Sequence, residues 1–263
     1  MAQEPLAEWS TRLWEAERTG QPIAPLTEAD PSLTVVDAYR IQLGVVERKV
    51  AQGEEVVGHK IGLTSKPMQR MLGVGEPDYG HLFRSMWYAS GQVIQRQLIQ
   101  PRVEPEIAFV LRRDLAGPGV TLHDVLSATE YVVPALEVID SRIAAWRIKL
   151  VDTVADNASA GCFVLGGQPS PVGAVDLSTV GMVLWKNGEV VETGAGAAVL
   201  GHPGWGVAWL ANKLAEFGTV LRAGHVVLSG SVSAAVPVAA GDAVRAHFGR
   251  LGSVEAAFAG GRA

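Results

Sequence analysis

Glu104 and Glu106 stand two residues apart in PRVEPEIAFVL (101–111), a run otherwise dominated by Val, Ile, Ala, Phe and Leu. In a β-strand the side chains at i and i+2 leave the same face, so both carboxylates point one way with α-carbons roughly 6–7 Å apart. Like charges on one apolar face need a cation or must take up protons, because an unpaired buried carboxylate costs several kcal/mol. A third acid, Glu137, interrupts a second apolar run, YVVPALEVI (131–139), that has no alternating polar face to place it on. Two strand glutamates and one from another strand give an all-oxygen donor set of the kind that suits Mg²⁺ or Mn²⁺. On these residues alone a second reading stays open. Glu104 and Glu106 could line the wet face of a half-exposed strand, with Arg102 or Arg142 neutralising one of them.

Two further residues have types and settings suited to proton transfer. Lys60 lies in the middle of VVGHKIGL (56–63), which reads as a buried strand. Desolvation lowers a lysine pKa and so makes the amine usable near neutrality; the alternatives are that Lys60 reaches the surface or pairs with a carboxylate. Asp78 sits between Pro77 and Gly80 in GVGEPDYGHLF (73–83), which reads as a turn-rich loop, where functional side chains are often displayed and where turn-forming aspartates are equally common.

The elements that must position these groups are legible from periodicity. Leu6, Trp9, Leu13 and Ala16 predict a helix over 5–19 that Gly20 stops. A second helix starts after Thr34, whose hydroxyl can cap it with Asp37 three residues on, and ends at Gly53. From Val56 onward short strands and turns take over. A short helix is expected over 66–72, and TLHD (121–124) reads as a capped helix start. Residues 179–193 read as a hairpin about an Asn187-Gly188 turn of type I′. Gly194–Gly201 reads as a small-residue loop before a helix from Pro203 to Phe217, and HVVLSG, SAAVPV and DAVRAHF read as closing strands. A helical quarter followed by many short strands predicts an α+β fold with a rolled, barrel-like sheet, divided into a helical region over 1–56 and a β-rich core over 57–263. Within 140–159, Asp152, Asp156 and Asn157 are unusually polar for a stretch that leads into the apolar run CFVLGG.

Composition narrows the function classes. With 263 residues, 48% hydrophobic and 19% charged, the chain is long enough for a sizeable core and is not a disordered type. The net charge of −5, with both signs interspersed, offers no basic face for nucleic acid. A single cysteine, Cys162, fits a reducing cytoplasm, and no signal-peptide pattern or apolar run of about 18 residues stands in the sequence. GAGAAVLG has the wrong spacing for a dinucleotide loop, the six histidines show no zinc-ligand spacing, and LSGSVS lacks the G-x-S-x-G elbow of serine hydrolases.

Taken together, GHKIGLTSK (58–66), PDYG (77–80), PRVEPEIAFVL, PALEVIDSRI (134–143), DTVADNAS (152–159) and GAGAAVLGHP (194–203) resemble the fumarylacetoacetate hydrolase-like superfamily, specifically its hydratase/decarboxylase branch in meta-cleavage aromatic degradation. The resemblance covers nearly the whole chain. It implies a fumarylacetoacetate hydrolase C-terminal-domain-like fold, a Mg²⁺ or Mn²⁺ ion on Glu104, Glu106 and Glu137, and proton transfer by Lys60. Asp78 matches the aspartate of members that add water; related 4-oxalocrotonate decarboxylases tend to carry an apolar residue there. Substrate contacts implied by the resemblance are Leu63, Asp156, Asn157, the Ala158-Ser159 pair and Ser231. The implied reaction is hydration of 2-hydroxypenta-2,4-dienoate, with 4-oxalocrotonate decarboxylation and 2-oxohept-4-ene-1,7-dioate hydration as alternatives. The implied setting is a cytoplasmic homo-oligomer acting on a small molecule, with no membrane or nucleic-acid partner, in association with a pathway decarboxylase or aldolase.

Overall fold

The computed structural model describes residues 3–65, 69–70 and 73–259. Helix α1 (Gln3–Thr19) packs on α3 (Val35–Ala51), with the short α2 (Leu26–Ala29) between them in sequence. The spacing that predicted these helices is the spacing they bury: Trp9, Leu13 and Ala16 on one, Ala38, Tyr39, Ile41, Val45 and Val46 on the other. Thr34 and Asp37 form the expected reciprocal cap. Buried Gln42 of α3 then reaches across to donate to the carbonyls of Tyr79 and Val154. The N-terminal helices therefore share one hydrophobic core with the strands they brace.

Thirteen strands follow among the described residues. The larger sheet contains β1 (Val56–Gly62), β2 (Asp78–Phe83), β3 (Trp87–Ala89), β5 (Arg102–Leu111), β6 (Thr129–Ile139), β7 (Ala160–Leu165) and β10 (Val226–Ser231), in the order β2-β1-β10-β5-β6-β7-β3. The two-residue β11 (Val236–Pro237) pairs with β5 beyond the end of β10. The smaller sheet runs β4 (Val93–Ile94), β13 (Gly252–Phe258), β12 (Ala243–Phe248), β8 (Gly181–Lys186) and β9 (Glu189–Ala195). Most neighbours are antiparallel, but β1–β10 and β3–β7 in the larger sheet and β4–β13 in the smaller are parallel, so both sheets are mixed. Helices α4 (Leu122–Ala128), α5 (Leu150–Ala155) and α6 (Pro203–Ala215) lie between strands, α4 opened by the expected Thr121–Asp124 cap.

The fold departs from the sequence expectations at definite places. Asp78 opens strand β2, paired with Gly62 of β1, and is buried at 2% exposure; it does not sit in a loop. The P-D-Y-G pattern reads as a turn, but Tyr79 stacks on Tyr39 at 4.6 Å and draws the segment into the core. The small-residue stretch after the hairpin continues as strand through Ala195 before a 3₁₀ turn, Gly196–Ala198. Of SAAVPV only Val236–Pro237 is strand. The hairpin itself turns at Asn187 and Gly188, with φ of 53° and 87°, as a type I′ turn requires. The helix expected over 66–72 falls largely outside the described residues.

Candidate active site

Strands β5 and β6 pair so that Glu104 stands directly opposite Glu137, with Glu106 two residues further along the same face of β5. One oxygen from each of the three carboxylates lies within 4.8 Å of the others. Cross-strand like charges destabilise a sheet, and here Glu106 and Glu137 are fully buried as well. Glu106 Oε2 accepts from the Gly230 amide at 2.8 Å, Glu106 Oε1 and Glu137 Oε2 have no hydrogen-bond partner, and Glu137 Oε1 faces only the Lys60 ammonium at 3.3 Å. Gly230 can make this approach because its φ is +113° and a Cβ would stand 2.4 Å from the Thr64 hydroxyl.

Burial pushes the Glu104 carboxyl up to about 7, with the Glu137 charge adding to it. Burial, with Glu137 and Glu104 beside it, raises Glu106 well above the usual carboxylate range. Glu137 is raised by burial in spite of the Lys60 ammonium beside it. Three convergent carboxylates with unfilled oxygens fit a hard divalent cation, which would satisfy those oxygens and relieve their repulsion.

Lys60 is 3% exposed on β1, donates to the Ala158 carbonyl at 2.9 Å and stands 3.3 Å from Glu137 Oε1. Burial alone lowers its pKa, but Glu137, Asp78, Glu104 and Glu106 outweigh burial and hold the amine above its usual value. Of the readings open for Lys60, the pairing with a carboxylate is the one found: the lysine is a cation held by acids, and burial does not bring it towards neutrality. Asp78 is raised by burial against the pull of Lys60, and its Oδ1 lacks a hydrogen-bond partner.

Both side chains crowd Gly62. A Cβ there would sit 2.2 Å from Asp78 Oδ1 and 3.5 Å from Lys60 Nζ. Gly62 is therefore the space in which the Asp78 carboxyl turns. Gly62→Ala is expected to reduce kcat at least tenfold with a change in melting temperature of under about 4 °C, read by steady-state assay and thermal unfolding. Unchanged turnover would mean that Asp78 can move aside without consequence.

Of the remaining sequence candidates, Leu63, Ala158, Ser159 and Ser231 line a cavity of about 810 Å³ that also takes in Lys60, Asp78 and Glu104. Leu63 adopts a left-handed φ of 56°, and its carbonyl accepts from the Gln69 amide. Asp156 and Asn157 do not line this cavity. Asp156 is buried against Arg142, which donates to it through Nε at 2.5 Å and through its backbone amide. The same guanidinium also binds the Asp140, Ala160 and Asp156 carbonyls. Asn157 clamps β2 from the side, accepting from His81 N and donating to His81 O. It opens three consecutive left-handed residues, Asn157, Ala158 and Ser159, and this turn aims the Ala158 carbonyl at Lys60. Asp152 likewise holds Thr27 of α2. These polar residues are supports behind the cavity wall.

Arg142 is thereby taken out of contention as a partner for the glutamates, and Arg102 makes no ion pair with them among the described residues. The cavity wall also includes Ile139, Trp146, Ile148 and Val232, which the sequence did not single out. Ile139 could have been found, since it lies two residues beyond Glu137 on the same strand face.

A curled mixed sheet that gathers three acids from two adjacent strands, with a lysine and an aspartate at their rim, defines a class, and the chain belongs to it. The fumarylacetoacetate (FAA) hydrolase C-terminal family matches residues 64–259. Among particular relatives, 2-hydroxyhexa-2,4-dienoate hydratase of Comamonas testosteroni is 53% identical over 234 residues, 88% of this chain and 89% of its own. The 2-keto-4-pentenoate hydratase of Paraburkholderia xenovorans (strain LB400) is 49% identical over 247 residues, 94% and 92% of the two chains. A solved structure of 4-oxalocrotonate decarboxylase from Pseudomonas putida G7, complexed with magnesium and adipate, superposes with a TM-score of 0.95 at 43% identity over 98% of each chain.

Proposed function

We propose that the protein is a metal-dependent hydro-lyase that adds water to 2-hydroxypenta-2,4-dienoate, or a close 2-hydroxydienoate, to give a 4-hydroxy-2-oxoalkanoate in meta-cleavage aromatic degradation. The observation that carries this reading is the convergence of Glu104, Glu106 and Glu137 within 4.8 Å, with Glu104, Lys60 and Asp78 lining one cavity. Similarity to two hydratases of short 2-hydroxy- or 2-keto-enoates supports the substrate class.

In this reading Glu104, Glu106 and Glu137 hold the divalent cation, Mg²⁺ or Mn²⁺. When bound, the cation supplies Lewis acidity that draws electron density from the adjacent carboxylate and keto oxygens of the substrate. Converting the dienol to the 2-oxo-3-enoate moves a proton from the C2 hydroxyl to carbon 5, and hydration then places hydroxyl on carbon 4 and hydrogen on carbon 3. Lys60, kept protonated by its acidic neighbours, is placed to donate to the substrate's oxygens. Asp78, with its unfilled Oδ1, is placed to take the proton of the attacking water. The Ala158 carbonyl accepts from the Lys60 ammonium and fixes its position.

We further take residues 1–56 as a packing region and 57–263 as the catalytic core of one structural unit, in a cytoplasmic homo-oligomer that associates with a pathway decarboxylase or aldolase. Among the described residues no helix is long and apolar enough to cross a membrane. The decisive assay supplies 2-hydroxypenta-2,4-dienoate and, separately, 4-oxalocrotonate to chelator-stripped and to Mg²⁺- or Mn²⁺-restored protein, with products identified by mass. Expected is a gain of one water on the dienoate, abolished by stripping and recovered on restoration. Release of CO₂ from 4-oxalocrotonate without hydration of the dienoate would instead establish the decarboxylase reading. Full activity after verified metal removal would remove the cation from the mechanism.

A further inference from the structure

The row of side chains that carries the acids continues outward. Arg102, Glu104 and Glu106 leave the same face of β5 at successive i+2 positions, and opposite them on β6 stand Ile139, Glu137 and Ala135. Arg102 and Ile139 thus form the next step out from Glu104 and Glu137, and both line the cavity. Lys60, the other cation of the described wall, is engaged by Glu137 and the Ala158 carbonyl. Arg102 has no carboxylate partner among the described residues; its guanidinium carbon stands over the Trp146 ring, 4.7 Å from the centroid.

That stacking is built independently of the arginine. Trp146 Nε1 donates to the Gln100 carbonyl at 3.0 Å, and the Gln100 side-chain amide donates to the Ser141 and Ile143 carbonyls. The Gln100 backbone amide is itself held by Asp140 at 2.7 Å. The ring therefore forms a fixed shelf, carried on left-handed residues Ala145 and Trp146, on which a guanidinium rests with its donor edges free. A planar cation with unfilled donors, held at the wall of a cavity that Lys60, Asp78 and Glu104 also line, is a carboxylate reader.

Resting on the function proposed above, the geometry points to Arg102 as the residue that recognises the carboxylate of the 2-oxo acid substrate, with Trp146 as its positioning residue. Glu104, Glu106 and Glu137 cannot themselves attract an anionic substrate. Arg102 supplies attraction and orientation at the step next to the floor.

The test compares binding of pyruvate with that of pyruvamide, which keeps the keto group but is neutral, to full-length protein in excess Mg²⁺, for wild type, R102Q, R102K, W146A and W146F. Expected for R102Q is a loss of pyruvate affinity of roughly tenfold to a hundredfold, with pyruvamide changed less than about threefold. R102K should recover only part, because an ammonium lacks the planar fork. W146A should weaken pyruvate at least threefold, and W146F, which keeps a ring under the guanidinium, should restore it. Mn²⁺ affinity of R102Q should be unchanged or higher, since a positive neighbour of Glu104 is removed. Equal pyruvate affinity in wild type and R102Q, equal loss for pyruvate and pyruvamide, a matching loss of Mn²⁺, or no pyruvate binding by wild type would each overturn the assignment. Failure of wild type to hydrate the dienoate would sink the proposed function alone, since the pyruvate comparison reads Arg102 without turnover.

Discussion

Glu106→Gln is expected to lower turnover about 10²- to 10³-fold, to weaken Mn²⁺ binding at least tenfold, and at the same time to raise the melting temperature measured in chelator. The opposite signs follow from one arrangement. Glutamine keeps the oxygen that accepts from the Gly230 amide, so the local hydrogen bond survives. It removes one of three acids that burial and mutual repulsion hold above their usual range, so the metal-free fold loses a source of strain on the order of 1–2 kcal/mol. For a chain of this size that corresponds to about 2–6 °C.

A pH series sharpens the result, because the direction of linkage is fixed. A carboxyl whose folded pKa is raised keeps its proton in the fold after the unfolded chain has lost it. Metal-free wild type should therefore lose stability as pH rises from the ordinary glutamate value of 4.5 to about 7, where Glu104 ionises in the fold. The slope should flatten in E106Q and in protein saturated with Mg²⁺. An unchanged metal titration together with an unchanged pH slope in E106Q would show that the three carboxylates do not act as one site.

The floor of the site was legible in the sequence because strand geometry has a period of two. Glu104 and Glu106 in an apolar run fix a shared face, and Glu137 in a run without a polar face fixes burial. Local signals also carried the caps at Thr34 and Thr121 and the Asn187-Gly188 turn, since each depends on residues within four positions. What was not legible came from partners distant in the chain. Asp78 reads as a turn residue until β1 pairs with it, and the choice between a depressed Lys60 amine and one paired with a carboxylate is settled only by acids from β2, β5 and β6 that surround it. Asp156 and Asn157 stand out as polar residues in an apolar setting, and the family resemblance implies that they contact substrate. Their purpose is to satisfy a buried arginine and the backbone of β2. Strands β3 and β4, three and two residues long, are too short for any periodicity to declare them.

Asp78→Asn is expected to reduce hydration of the dienoate about 10²- to 10³-fold while pyruvate affinity and Mn²⁺ affinity change less than about threefold. Asparagine is close in size, so it fits the space that Gly62 leaves, but its amide cannot accept the proton of water. The two chemical steps should separate in this variant. If Lys60 and the cation suffice for the dienol-to-enone step, D78N in D₂O should still place deuterium on carbon 5 of the substrate at a rate within about tenfold of wild type, while the 4-hydroxy product fails to accumulate. Retained hydration in D78N would remove Asp78 from the mechanism. Loss of both deuterium exchange and hydration would instead move Asp78 to the first proton transfer, with Lys60, already held as a cation by its acidic neighbours, left to orient the substrate.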